Sequence, residues 1–363
     1  MDSSKTMFGD TKSAMSFLKG SLLFAMSLGA QELFHTNVWK WLFEKDPRFA
    51  YLFFKELRTK NFEVTREENH RDISIWLNKG QPEKEKVFVI ENKIKALPCK
   101  DQLERYYAKI IGRGRTSNIN RFGGGVVTGI TKSKCNFANW QFMSYAEIAD
   151  GIAAVLQEVR GAKPEMESVS EYVRIIHALV CVIEGFLSRN KDRWAVFDDC
   201  NDERDVGLAD VCLKLTAEAF KEYLSDRKGF IALSKKCPRG WSFDIKTGFS
   251  NCTSLIDVDF TRDDARIGIQ IQDKSYRFFF CGAGRCSSTV YERALKMGWL
   301  SSDWWKNHPK GNRKDKRYKQ FKISTVGFFV YQDKQLEERD FDVVGSMLEC
   351  DLQNLVQLLQ RHD

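Results

Sequence analysis

Apolar positions in the first third of the chain change period twice, and each change marks an element. From Glu32 to Phe43 they recur at three and four. Phe34, Val38, Trp41 and Leu42 share one face, and Glu32, His35, Thr36 and Trp39 share another. That spacing predicts an amphipathic helix, closed by Asp46-Pro47. A second helical stretch runs from about Phe49 to Leu57. The period then falls to two. Phe62–Glu67 reads as a short strand, Asp72–Leu77 as a cleaner, β-branched one, and Val87–Ile94 as the strongest strand in the chain. The polar segment Asn78–Lys86, holding Gly80 and Pro82, is the turn between the last two. Asp101–Ile111 is helical, Gly123–Ile130 is a glycine-led strand, and a helix runs from Tyr145 to Val159.

The order helix, three strands, helix, strand, helix predicts an α/β fold, a small mixed β-sheet flanked by helices. Apolar periodicity lapses from Arg160 to Pro164, which sets a boundary between domains 1–160 and 161–363. Beyond it come helices at Tyr172–Phe186 and Val206–Leu224. Strands follow near Leu255–Phe260, Ala265–Gln272, Tyr276–Cys281 and Ile323–Tyr331, and a last helix near Val343–Leu359. This reads as a second, α+β domain, for substrate selection, sensing or dimerisation. No internal repeat and no low-complexity tract is present.

Composition narrows the class. With 43% hydrophobic and 13% aromatic residues, 363 residues suffice for two packed cores. A net charge of +8 suits polyanionic partners. The ten cysteines lack the paired spacing of a zinc ribbon and suit reduced thiols in the cytoplasm. Ser21–Gly29 is apolar, but Asp2 and Asp10 stand where a signal peptide would be basic, and the run is too short to span a bilayer. It is expected to be a buried lead-in to the first helix, and no membrane association is expected.

The chemistry gathers on the strongest strand. Residues two apart share a strand face, so Glu91 and Lys93 lie on the side of Val87 and Val89. The opposite face, Phe88, Ile90 and Ile94, is apolar apart from Asn92. If the hairpin closes about its loop midpoint, Trp76 lies opposite Val87 and Asp72 opposite Glu91. Two carboxylates so placed repel unless a cation sits between them. With the Lys93 ammonium beside them they suit a hard divalent ion next to a polarising lysine. In the following helix Gln102 and Tyr106 share a face at i and i+4.

Asp72, then Glu91-x-Lys93 ending an apolar strand, then Gln102-x-x-x-Tyr106, resembles the PD-(D/E)XK nuclease superfamily and, within it, the RecB-like branch. Glu32–Asn37 and the phrase Ile90–Ile94 resemble an uncharacterised bacterial group of that superfamily. The resemblance covers roughly residues 20–155, and Arg71 stands where the name motif has proline. It implies a restriction-endonuclease-like fold and hydrolysis of phosphodiester bonds, in DNA first, in a bacterial defence or DNA-maintenance setting. It further implies Mg²⁺, with Mn²⁺ substituting, bound by Asp72, Glu91 and the Asn92 carbonyl. Lys93 would orient or deprotonate the attacking water, or stabilise charge on the phosphate. Glu32 would either support a second ion or serve as an ordinary carboxylate at a helix N-terminus. Gln102 and Tyr106 would lie near the substrate backbone or the lysine.

Arg113, Arg115 and Arg121 follow the site helix and are expected along the nucleic acid. The run Trp304–Lys322 mixes cations and aromatics, as strand-binding surfaces and solvated loops both do. Gly282-Ala-Gly284-Arg285 reads as a turn. The rival to a nuclease is a non-cleaving module on the same fold, binding nucleic acid or protein. An RNA-cleaving toxin and a homodimer are both compatible with the sequence. Geometry discriminates: for catalysis Asp72, Glu91 and Lys93 must converge.

Overall fold

The computed structural model describes residues 7–27, 32–81, 84–97, 100–111, 121–130, 139–159, 164–263, 265–282, 319–322 and 328–361. The chain divides into two compact units. One comprises Met1–Arg189 with Asn201–Cys212, the other Asn190–Cys200 with Leu213–Asp363.

The first unit begins with helices α1 (Thr11–Gly20), α2 (Leu22–Met26), α3 (Glu32–Lys45) and α4 (Arg48–Tyr51). Its sheet is built from β1 (Glu63–Glu68), β2 (Arg71–Leu77), β3 (Lys86–Lys93), β4 (Phe122–Gly129) and β5 (Trp140–Ser144), in the order β1-β2-β3-β4-β5. The first three strands pair antiparallel, and β3, β4 and β5 pair parallel. A parallel neighbour requires a crossover, and α5 (Lys100–Ile111) lies between β3 and β4 in the chain. Helices α6 (Tyr145–Glu158) and α7 (Pro164–Arg189) follow the sheet. The expected mixed sheet flanked by helices is therefore present, with one strand more than the sequence suggested.

Two expectations need correction, and one point that the sequence left open is decided. First, α7 packs on α6 and α1, so the first unit runs on to Arg189, past the boundary placed at 160. Second, the buried side of α3 is the one carrying His35, Thr36 and Trp39, joined by Leu42 and Phe43. Phe34, Val38 and Trp41 are only half-buried. Both sides of this helix carry aromatics, so hydrophobicity alone does not choose between them. Third, Ser21–Gly29 is not uniformly buried: Phe24 is inside, but Leu22 and Met26 are exposed. No helix among the described residues is long and apolar enough to cross a membrane.

The glycines leading β4 have a steric reason. A Cβ on Gly125 would lie 2.4 Å from the Trp140 ring, and one on Gly123 would lie 2.5 Å from the ring of Phe88. Flat rings therefore lie directly over the backbone of β4, and only glycine leaves room for them.

The second unit is a six-stranded antiparallel sheet in the order β10-β11-β9-β8-β7-β6. Its strands are β6 (Ser242–Ser250), β7 (Thr253–Arg262), β8 (Ala265–Gln272), β9 (Ser275–Gly282), β10 (Lys319–Lys322) and β11 (Phe328–Gln335). The short α8 (Asn201–Arg204) and the first residues of α9 (Ala209–Asp226) belong to the first unit; the rest of α9, α10 (Lys228–Lys235) and, near the chain end, α11 (Phe341–Arg361) belong to the second. Ile256, Val258 and Phe260 of β7, Ile267, Ile269 and Ile271 of β8, and Phe278 and Phe280 of β9 pack with Phe220, Phe230, Leu348 and Leu352. That is the period-two pattern meeting the helical one. The α+β reading of this half holds, with β6, β10 and α10 added. Gly284, Arg285, most of the run from Trp304 and residues 323–327 of the expected strand lie outside the described residues.

Candidate active site

The register of β2 against β3 places Trp76 opposite Val87 and Ile73 opposite Ile90. Carried one step further, it sets Asp72 beside Glu91 at the end of the ladder. There the Asp72 side chain takes over from the backbone: Oδ2 accepts the Asn92 N–H at 2.6 Å. Trp76, Val87 and Val89 of this sheet face pack with Leu103, Tyr106 and Ile110 of α5. The helix that follows the strongest strand thus covers the functional face, and its first turn reaches the strand ends.

Glu91 is nearly enclosed, at 2% exposure. Its Oε1 accepts from Lys93 Nζ at 2.8 Å and from Gln102 Nε2 at 2.7 Å. Its Oε2 is buried and has no hydrogen-bond partner among the described residues. Gln102 Nε2 also approaches Tyr106 Oη at 2.8 Å, and that hydroxyl donates to the His70 carbonyl at 2.5 Å. His70 and Asn69 both have positive φ (65° and 54°) between the paired residues Glu68 and Arg71. Two such residues make the tight hairpin turn that matches strand twist. The Gln102–Tyr106 pair therefore holds both Glu91 and the tip of the hairpin that carries Asp72.

Glu32, the first residue of α3, reaches the end of the same strand. Its Oε1 accepts the Ile94 N–H at 2.9 Å and the Lys95 N–H at 3.4 Å. Lys95 in turn pairs with Asp210 at 2.9 Å.

The electrostatics follow from these placements. Burial pushes the Asp72 carboxyl up, opposed by the Asn92 N–H and Lys93 and reinforced by Glu32 and Glu67. Burial likewise raises Glu91, and the charge of Asp72 raises it further. For Lys93, burial works against the ammonium, but Glu91, Glu32 and Asp72 outweigh it and hold it above the ordinary lysine value. Two carboxylates that resist ionisation, with one oxygen unpaired among the described residues, form an acidic pair.

The donor set fits a hard divalent cation. It consists of carboxylate oxygens, and the partnerless Glu91 Oε2 is a buried acceptor of the kind an ion satisfies. Two carboxylates are the sparse protein share typical of a strongly hydrated ion. No group of three or more His, Cys, Asp or Glu side chains close enough to hold a metal occurs among the described residues.

Asp72, Glu91, Lys93, Gln102, Tyr106 and Glu32 are thus brought to one end of β3. Arg121 is not. It binds Glu85 through Nε at 2.9 Å and through a second guanidinium nitrogen. Glu85 precedes β3, so this pair sits six residues from Glu91, about 20 Å at the strand rise of ~3.3 Å per residue. Arg121 is occupied by a buried acid and lies at the wrong end of the sheet for the acid cluster. Arg121→Ala is expected to lower stability by about 1–3 kcal/mol, because Glu85 is left buried without its cation. Affinity for nucleic acid should stay unchanged in the same variant, as read by thermal melting beside a binding titration. Arg113 and Arg115 lie outside the described residues.

Sequence reasoning missed the partners behind the strand, Thr128 and Tyr145, both bound to the Asn92 side chain. The available signal was Asn92 itself, the one polar residue on an apolar strand face.

The family model of the PD-(D/E)XK nuclease superfamily matches residues 52–174. That span holds Asp72, Glu91, Lys93, Gln102 and Tyr106 and leaves out Glu32. The nucleases of this superfamily generally use divalent metal ions. No curated protein and no solved structure matches the chain.

Proposed function

We propose, from the match of residues 52–174 to the PD-(D/E)XK nucleases, that this protein hydrolyses phosphodiester bonds in DNA with Mg²⁺, and with Mn²⁺ as a substitute. One observation carries the reading. Glu91 is gripped on one oxygen by Lys93 and Gln102, while its other oxygen is buried and unpaired among the described residues. A fold that needed these residues only for stability would have no reason to bury two acids together.

Asp72 and Glu91 would hold the ion, with the Asn92 carbonyl completing the protein's share. When bound, such an ion supplies Lewis-acid polarisation of the phosphate and a water of lowered pKa. The side chains do the rest. Lys93, kept protonated by the surrounding acids, is placed to orient water or to stabilise charge developing on the phosphate, rather than to remove a proton. Gln102 fixes the rotamer of Glu91, and Tyr106 anchors the hairpin of Asp72. The net charge of +8 supports a polyanionic substrate. The second unit would select substrate, sense a signal or dimerise, and the cysteine usage supports a cytoplasmic setting.

Single- and double-stranded DNA and RNA oligonucleotides, incubated with Mg²⁺, Mn²⁺ or EDTA, test the substrate class. Metal-dependent cutting of DNA in preference to RNA is the expected result. Preference for RNA would overturn the DNA assignment. Tight binding without cutting under every condition, by protein with both carboxylates intact, would favour the non-cleaving module.

A further inference from the structure

Asn92 stands between Glu91 and Lys93, and its side chain leaves the strand on the opposite side. There it is completely enclosed, at 0% exposure, with both ends of its amide engaged. Oδ1 accepts from Thr128 Oγ1 at 2.8 Å and from Tyr145 Oη at 2.6 Å. Nδ2 donates to the Glu32 carbonyl at 3.0 Å. The backbone N–H of the same residue donates to Asp72 at 2.6 Å. A single residue therefore ties β2, β4, α6 and α3 to the end of β3.

An amide in this position is not needed to fill space. A leucine would occupy a similar volume, and a buried amide is costly unless its bonds are made. What the amide adds is a fixed register, because a satisfied polar network in a low-dielectric interior has one geometry. Tyr145 is itself locked in place, its ring edge-on to His35 at 5.0 Å between centroids. His35 Nδ1 lies 2.9 Å from Tyr172 Oη.

Glu32 is consequently held twice. Asn92 holds its carbonyl, and the amides of Ile94 and Lys95 hold its carboxylate. We infer that the Asn92 side chain is a positioning residue of the site: it fixes the N-terminus of α3 on β3, so that the Glu32 carboxylate orders the backbone just after Lys93. In this role Glu32 is a clamp on the strand end, acting on the reaction through the placement of Glu91 and Lys93. The kinetic part of this inference rests on the nuclease reading, whereas the clamp itself does not.

The test uses Asn92→Asp in the full chain. The substitution is isosteric and keeps the acceptors for Thr128 and Tyr145, and, assayed above pH 8 with the carboxyl ionised, it has no proton to donate to the Glu32 carbonyl. Hydrogen exchange of the segment around Ile94 and Lys95 should quicken about tenfold or more, with far-ultraviolet circular dichroism unchanged. kcat should fall about 10- to 100-fold with KM within about threefold, as for residues that orient others at a metal site. Adding Asn92→Asp to Glu32→Ala should lower kcat no more than about threefold further, because the two act together. Unchanged exchange in folded Asn92→Asp, or losses that multiply in the double variant, would overturn the inference. If Asn92→Asp fails to fold, Tyr145→Phe carries the test. It removes one of two donors to Oδ1 and keeps the ring, so exchange and kcat should move the same way by less, and no movement in either refutes the clamp. A wild-type protein without cleavage would sink the nuclease reading, and the exchange comparison would still decide the clamp.

Discussion

Asp72→Asn should abolish cleavage, by a factor on the order of 10³ or more, and at the same time make the metal-free protein more stable at neutral pH. Both effects come from one physical fact, the burial of two carboxylates with a single ammonium between three acids. The folded-state affinities of Asp72 and Glu91 for protons are raised, so the folded chain binds more protons than the unfolded one. Stability that is present below the ordinary carboxylate range is then lost as pH rises through the raised values. Tenfold tighter proton binding by a folded carboxyl is worth about 1.4 kcal/mol. Replacing the Asp72 carboxylate by an amide should therefore return about 1–2 kcal/mol at pH 7. Added Mn²⁺ should raise the melting temperature of the wild type and leave Asp72→Asn nearly unaffected. A stability advantage of Asp72→Asn over the metal-free wild type that does not shrink as the pH falls from 7 to 4 would contradict this electrostatic origin.

The second large effect belongs to Lys93. Its ammonium is 2.8 Å from Glu91 and 17% exposed, near enough to the surface to meet a substrate. Lys93→Met keeps the length of the stem and removes the charge. kcat should drop about 10²- to 10³-fold, the range seen when one preorganised charge-stabilising donor is lost. Stabilisation by Mn²⁺ at pH 8 should persist, because Asp72 and Glu91 remain and a competing cation is gone. That separation of chemistry from ion binding distinguishes Lys93 from the two acids. If Lys93→Met lost the ion response and the cleavage together, the lysine would be a structural partner of Glu91 and nothing more.

The readable part of this site was the part set by local periodicity. Period two fixed that Glu91 and Lys93 share a face with Val87 and Val89, and the polar loop between β2 and β3 fixed the register that brings Asp72 to Glu91. The helical spacing of Gln102 and Tyr106 placed both on one face of α5, where they now touch. The Asn92 network was hidden because its partners Thr128, Tyr145 and Glu32 are 36, 53 and 60 residues away along the chain. Nothing in a local window reports such pairings.

Two fold features escaped for related reasons. β5 is five residues long and, among the described residues, pairs only with β4, so its pattern is brief. The buried side of α3 carries His35 and Thr36 beside Trp39, and with aromatics on both sides a hydrophobic count does not pick it out. His35 is tolerated there because burial keeps its ring neutral, with its pKa pushed down to about 3, and because Tyr172 takes up one nitrogen. Arg121 went astray in the opposite sense. Its position just after the site helix in sequence suggested proximity, but the crossover returns the chain to the far end of the parallel pair.

The nuclease reading stands or falls on one assay, supercoiled plasmid incubated with the wild type, Asp72→Asn and Lys93→Met, each with Mg²⁺, with Mn²⁺ and with EDTA. The expected result is nicked or linear product from the wild type only when metal is present, and none from either variant within the same time. Product that survives both substitutions, or that forms in EDTA, would contradict it.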